Sequence, residues 1–484
     1  MFLLTACGGS TSEDGTTADN TADAAADIPT DEPDAGGADT EAPDSTPPTD
    51  TTHDTAAEPD SAPEPLRADA GDNLYTIVGT PVTLSGANST GASTFVWDPG
   101  DGSAPTEPSS EAEFTVSYDR AGRYRVVLTV ENAQGQRRTD DVLVTAVNPP
   151  VFEPATSSTI ALAPDEDRVA VVVPEANTVT VASVGDDGLS APVHIAVCMA
   201  PRTLAWLDST TLITVCQEDD RVAIMDLSDE PRVDMVDLPY GARPYGVLAA
   251  DGEVWITFQG RGELVRLALS DGGAWEIAQR FAVVPDARGL TRLPDGRLMI
   301  ARWRSPATHG ELAVVDRESE EVVVWQLPFV EVPSDSDTEN GGVPTWLDTA
   351  AVTPDGALMA VPALLANINV GVHLSGEDLS HETTVRAIVF WLDPATGEVV
   401  RSRKQFDDRG FAAAATFNNW GDFLFVITRG SRAVERLDRF NGAQSGSILN
   451  AGYAPSGMAL TSDGQWLLVD ASLSRELRQY DLVS

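Results

Sequence analysis

One short turn recurs through the C-terminal two-thirds of the chain, each time between two apolar runs. It stands at Pro164-Asp165, Leu207-Asp208, Asp251-Gly252, Asp295-Gly296, Asp355-Gly356, Trp420-Gly421 and Asp463-Gly464. The first four lie about 43 residues apart, the length of one four-stranded blade of a β-propeller. The two longer intervals flank Asp355, and insertions over Pro333–Gly342 and about Leu365–Glu382 account for them. Blade one sets the plan, with strands expected at Thr159–Ala163, Arg168–Val173, Thr178–Val184 and Val193–Val197. Blade three repeats it at Tyr245–Leu248, Glu253–Phe258 and Glu263–Leu269. Seven turns imply seven blades over residues 149–484. The seventh runs out after a third strand, Glu476–Leu482. Pro150–Pro154 is expected to supply the outer strand and close the ring, covering an exposed sheet edge.

Residues 67–148 carry a different rhythm. Short alternating runs at Thr76–Val78, Val82–Leu84, Thr94–Trp97, Glu113–Val116, Tyr124–Val130 and Asp141–Thr145 are separated by turn signals, the pattern of a β-sandwich. Within it, Trp97-Asp98-Pro99-Gly100-Asp101-Gly102-Ser103 resembles the WDFGDG motif of PKD domains, with proline in place of the usual aromatic residue. Ala70-Gly71-Asp72, Leu84-Ser85-Gly86, Tyr118 and Ala121–Val126 extend the likeness over about 80 residues. The resemblance implies an immunoglobulin-like spacer. Trp97 should fill the space between its sheets, and Asp101 should bond turn amides.

Ahead of this domain, residues 8–66 hold 16 acidic side chains and no lysine, arginine or aromatic residue. Such a stretch buries too little apolar surface to offset its chain entropy, and it is expected to be a disordered tether. At residues 1–7, Leu4-Thr5-Ala6-Cys7 followed by Gly8-Gly9-Ser10 resembles a bacterial lipobox, although Met1–Leu3 is too short for a signal peptide. The resemblance implies lipidation at Cys7 and an extracytoplasmic, lipid-anchored protein of the outer membrane or cell surface. Membrane contact would then be made only through that lipid. The fold class expected for the whole is all-β: a disordered acidic tether, a PKD sandwich, and a seven-bladed propeller.

The propeller units resemble YVTN and NHL-like blades of bacterial surface proteins through Ala163-Pro164-Asp165, Thr353–Gly356 and Leu392–Gly397. Arg302–Pro306 and Thr384–Ile388 are similar to turns and strands of a lipoprotein propeller family whose larger members continue into a c-type di-haem domain. No Cys-x-x-Cys-His occurs in this sequence, so that chemistry is not carried over, and no cofactor is assigned.

A formal charge of −44 excludes nucleic acid as a partner, because phosphate recognition needs clustered positive charge. Against that background, strand ends expected at one mouth of the propeller supply Arg202, Arg243, Arg288, Arg302, Arg304 and Arg429, with Trp303 and Trp346 beside them. Arginine forks suit carboxylate, sulfate or phosphate, and an adjacent indole suits a sugar or peptide. Pairing with neighbouring Asp and Glu is the competing expectation for these arginines. Cys198 and Cys216 fall at one edge of blade two and are expected to form a disulfide. Two thiols alone make no metal site. His53, His194, His309, His373 and His381 are scattered, and Asp335–Glu339 departs from a calcium loop in its glycine and distal acid. No catalytic or metal-ligating set is assigned. The function expected is a non-catalytic surface module whose propeller binds a protein or an acidic glycan. From another class comes a propeller lyase, since streptogramin lyases also combine a propeller with a histidine (here His309), or the sensor half of a haem redox system.

Overall fold

The computed structural model describes residues 3–7, 65–185, 188–190, 192–250, 252–331, 341–368 and 384–482. The expected tether, the Asp335–Glu339 loop, and His53, His373 and His381 lie outside these residues, apart from the last two of the tether.

The chain is all-β. In residues 67–147, a four-stranded sheet of Leu74–Ile77, Thr94–Asp98, Gly122–Glu131 and Arg137–Val147 faces a two-stranded sheet of Val82–Ser85 and Glu113–Val116. Trp97 fills the interior at 2% exposure and stacks on Phe114, 5.9 Å between centroids. Asp101 accepts the Ser103 amide at 2.9 Å. Gly100 is required in the turn: φ is +74°, and a Cβ there would sit 2.3 Å from the Arg125 carbonyl oxygen.

Seven further sheets follow, each with an inner, second, third and outer strand. The recurring turns join inner to second strands. In five of them the aspartate accepts an amide two residues on, as Asp295 does from Arg297 at 3.1 Å and Asp463 from Gln465 at 2.9 Å, while in blade six Asn418 accepts the Asp422 amide at 3.0 Å. Apolar side chains of neighbouring sheets meet in seven clusters, one in each seam between blades. The seam of blades seven and one, with Leu468, Leu477, Ile160 and Val171, closes the ring. We call the face where inner strands begin the upper face. The turns after inner strands and after third strands lie on the lower face.

Ring closure corrects one expectation. Pro150–Pro154 does not form the outer strand of blade seven. That position is taken by Leu3–Cys7, running parallel to Glu476–Asp481 with Leu3 opposite Glu476 and Cys7 opposite Tyr480. Pro149, Pro150 and Pro154 lack the amides that a ladder needs. Their segment instead crosses the lower mouth, where Val151 donates to the Pro354 carbonyl at 2.9 Å, and then enters the central channel. There Ser157 donates to Leu290 O at 2.9 Å, and Leu204 donates to Ser158 O at 3.0 Å. The linker therefore bonds to the inner strands of two different blades and plugs the channel. Gly457 makes room for it, since a Cβ would come within 2.5 Å of Thr159 Oγ1.

The PKD domain is docked on the lower side of blade six. Tyr75 stacks on Trp420 at 5.2 Å and donates to Asp422 Oδ2 at 3.1 Å. Arg123 bridges Asp422 at 2.9 Å and Asp438 at 3.2 Å. Burial, followed by the Asp422 charge, pushes the Tyr75 hydroxyl up to about 12.

Candidate functional site at the upper mouth of the channel

The upper mouth is built from two positions that repeat from blade to blade. Just before the inner strand, six blades place a non-glycine residue in the left-handed region: Ala200, Arg243, Asp286, Trp346, Phe411 and Ala454, with φ between 44° and 55°. In five of the six its carbonyl accepts the amide of the residue that follows the second strand. These bonds run from Gln217, Gln259, Trp303, Arg429 and Ser472 to Ala200, Arg243, Asp286, Phe411 and Ala454 respectively, at 2.8 to 3.3 Å. Immediately inside, the register shifts between Pro201 and Leu204, Pro244 and Val247, and Ala287 and Leu290. Bulges of this kind re-aim side chains. They carry Arg202, Tyr245 and Arg288, and Asp348 follows Trp346 and Leu347 at the same place in blade five.

Arg288 is the centre of the site. Its guanidinium lies 3.6 Å from the Trp303 ring centroid and 4.1 Å from that of Tyr245. Cation–π contacts of this kind contribute about 0.5–2 kcal/mol each. Trp303 stacks on Trp346 at 5.5 Å with 7° between planes, and Phe411 meets both edge-on. The Trp346 amide donates to the Trp303 carbonyl at 2.7 Å, which fixes the two indoles side by side. Trp346 is 40% exposed, so the aromatic cluster opens to solvent.

Beneath it, the Asp348 carboxylate is 3.9 Å from Arg288 and accepts the Tyr245 hydroxyl at 3.3 Å, while its Oδ1 is buried without a hydrogen-bond partner. Burial pushes the Asp348 carboxyl up, against the pull of Arg288, Tyr245 and Arg429. Burial also pushes the Tyr245 hydroxyl up to about 12; Asp348 adds to this, and Arg288, Arg202 and Arg429 oppose it. Three of the six arginines named from sequence thus act electrostatically on one tyrosine, and Arg288 lies against its ring. Arg202 is held by Gln217 at 2.8 Å, and neither Arg202 nor Arg429 makes an ion pair among the described residues. A polar-walled cavity of about 50 Å³ lies below, lined by Ser157, Ser158, Thr203 and Ser456 among others.

The other three arginines sit on the rim with partners. Arg243 meets Glu218 at 3.3 Å, Arg304 meets Asp286 at 2.8 Å, and Arg302 pairs with Glu311. Arg243 and Arg304 border an open groove of about 730 Å³ that leads outward from Arg288. His309 lies on the third strand of blade four with both ring nitrogens engaged, by Thr308 at 2.8 Å and Glu311 at 3.1 Å. His194 contacts Thr180 in blade one, at 2.9 Å. Cys198 and Cys216 are joined by a disulfide with a Cα–Cα distance of 5.6 Å, at the upper edge of blade two.

Tyr245, Asp348, Phe411, Gln217 and Gln259 belong to the mouth but were not singled out from sequence. Aligning the blades by their turns finds most of them: Gln217 and Gln259 occupy the position of Trp303 and Arg429. The arrangement offers fixed cations, a solvent-facing aromatic surface and planar amides, suited to holding an anionic group attached to a flat or apolar body.

Comparison with known proteins agrees with the fold. Hydrazine synthase from Kuenenia stuttgartiensis aligns with a TM-score of 0.54 at 16% identity, covering 67% of this chain and 95% of that one. A catalytically inactive virginiamycin B lyase from Staphylococcus aureus aligns at 0.45 and 13% identity, covering 66% and 93%. The β-propeller domain of Cps50 (Swd1) from Myceliophteria thermophila aligns at 0.46 and 14%, covering 69% and 99%. A search of curated proteins finds no sequence match to the chain. Residues 62–147 match the PKD domain family, so the chain joins a PKD domain to a seven-bladed β-propeller.

Proposed function

We propose that this protein is a non-catalytic, extracytoplasmic surface module whose propeller binds the anionic group of a glycan or protein at the upper mouth. The observation that carries the reading is Arg288. A guanidinium clamped between Tyr245 and Trp303, with its nearest carboxylate at 3.9 Å, is immobilised and incompletely neutralised. Arg202 and Arg429 add charge to the same spot, and the exposed Trp346 face adjoins it. A fixed cation loses little entropy on meeting a carboxylate. His309, the histidine a lyase reading would use, has both ring nitrogens engaged by Thr308 and Glu311.

Lipid anchoring at Cys7 completes the proposal. It is supported by the Leu4–Cys7 lipobox pattern and by the Cys198–Cys216 disulfide, which suits an oxidising compartment. Cleavage before Cys7 would remove Leu3–Ala6 and uncover the Glu476–Asp481 edge. Labelling with a fatty-acid analogue, using a gene extended upstream, tests this part: Cys7→Ala should abolish the label.

The binding test is calorimetric titration of the full chain with galacturonic acid and with a peptide carboxylate, at low and high salt. The Arg288→Ala/Arg429→Ala variant is run alongside. Salt should weaken binding, since partly exposed charge pairs are screened, and the variant should abolish it. Binding indifferent to both would move the ligand site elsewhere.

A further inference from the structure

We infer that the ligand is the acidic end of a glycan chain, taken end-on: its terminal unit rests over Arg288, and its next unit lies in the groove between blades three and four. This deepens the reading of the mouth given above and rests on it.

The first observation is that the mouth is blind. Ser157 and Ser158 are bonded into the channel, and the space left beneath Tyr245 and Asp348 is about 50 Å³. That admits water but no sugar ring. A chain cannot thread through the propeller, so only an end can enter.

The second is that the mouth has an open exit with an unusual charge. The groove of about 730 Å³ is within the ordinary range for ligand clefts. Its lining includes Arg243, Arg261, Arg288 and Arg304 against a single acid, Asp286. Glu218, Glu263 and Asp348 stand behind the first three, so the groove is close to neutral in a chain whose acids outnumber lysine and arginine 75 to 31. Arg243 and Arg304 are 56% and 71% exposed, so their charge is within reach of a ligand. A ligand carboxylate can replace Glu218 at little loss, or share Arg304 with Asp286. Gln217 and Gln259 place two planar amides, 2.7 Å apart, on the wall nearest the mouth.

The third distinguishes a glycan from an acidic peptide. An extended peptide is gripped through backbone hydrogen bonds. The amides along the groove floor are already used: Gly260 donates to Ala242 O, and Arg261 and Gly262 donate to Phe258 O, at 2.9 to 3.1 Å. What remains is guanidinium forks and the flat Trp346 face, which suit carboxylates, hydroxyls and the apolar face of a pyranose; the Gln217 and Gln259 amides are already bonded to Arg202, to each other and to Asp286.

The test is calorimetric titration of the full chain with galacturonic acid, its α-1,4-linked dimer and trimer, maltose and maltotriose, and triglutamate. Affinity should rise at least about tenfold from galacturonic acid to its dimer, and the neutral sugars should bind more weakly at each length. In an Arg243→Ala/Arg304→Ala variant the step from one unit to two should largely disappear. Equal affinity at all lengths, a step that survives in the variant, or triglutamate matching the trimer would each overturn the inference. An Arg288-dependent monomer with no length step refutes the groove alone; failure of every acidic probe, the monomer included, refutes the mouth as well.

Discussion

Asp470 offers a measurement of how the propeller ring is closed. It lies on the second strand of blade seven, Trp466–Ala471, in the seam with blade one, and is 1% exposed. Thr159 donates to its Oδ2 at 2.8 Å, while Oδ1 is buried with no partner. Burial pushes its carboxyl to about 7 from 3.8, outweighing the Thr159 hydrogen bond and the Arg429 charge. In the unfolded chain the group releases its proton near 3.8; in the folded chain it keeps it until about 7. Between those values the unfolded state binds fewer protons, so stability falls as pH rises through that window and levels off above it. A shift of about three units corresponds to roughly 4 kcal/mol. Asp470→Asn removes the titration while keeping an acceptor for Thr159. The variant should therefore gain on the wild type by roughly 4 kcal/mol between about pH 4 and pH 8, whatever its offset at low pH. Urea unfolding of both proteins, followed by tryptophan fluorescence across that range, gives the difference directly. A difference that stays flat with pH would refute the assignment of a protonated, solvent-excluded carboxyl to the seam.

Three further outcomes follow from other contacts. Replacing Cys198 and Cys216 by serine should cost about 3 kcal/mol for a separation of 18 residues in the chain-entropy model, read as a lower urea midpoint that reductant no longer changes. Arg123→Ala leaves Asp422 buried at 0% exposure with its charge partner removed. It should loosen the PKD domain by about 3–5 kcal/mol; faster proteolytic release of the two domains reports this, and an unchanged cleavage rate would contradict it. Gly289→Ala places a Cβ 1.8 Å from the Asp348 carbonyl oxygen, so backbone must move. The expected loss is about 1–3 kcal/mol, visible in thermal melts as a lower midpoint.

The strands were legible because alternation and turn chemistry act locally. Glu253–Phe258 and Glu263–Leu269 fall where the apolar pattern puts them, and Trp97 is buried as its motif implies. The path of residues 149–159 was not legible from the need to cover an edge, although its prolines argued against a strand. The mouth was half legible. A scan for charge at strand ends finds Arg202, Arg288 and Arg429, which act on Tyr245, together with Arg243, Arg302 and Arg304, which turn to acids on the rim. Period-two alternation cannot separate the groups: bulges break its phase at Arg202 and Arg288, and Arg243, Arg304 and Arg429 lie just outside their strands. Asp348 was hidden further by the insertion before blade five, which obscures where that inner strand begins. The docking of Tyr75 on Asp422 spans 347 residues and follows from shape rather than pattern.

The rim separates what the fold demands from what the site adds. The left-handed residue before the inner strand recurs in six blades, so the conformation itself belongs to the propeller. Glycine or asparagine would occupy it most easily, and a non-glycine side chain there costs about 1 kcal/mol or more. Blades two and seven accept that cost with alanine, at Ala200 and Ala454. Blades three, five and six place Arg243, Trp346 and Phe411 there instead; Arg243 lines the groove, and Trp346 and Phe411 pack with Trp303 beside Arg288. The conformational cost comes from the Cβ and is common to all six residues, so the large side chains add contacts at the mouth that the alanines do not. The PKD domain and the linker occupy the lower side, through Trp420, Asp422 and Pro354. The linker fills the middle of the channel, leaving a cavity of about 590 Å³ at its lower end and the arginine and tryptophan mouth above, so an incoming ligand meets Arg288 from above.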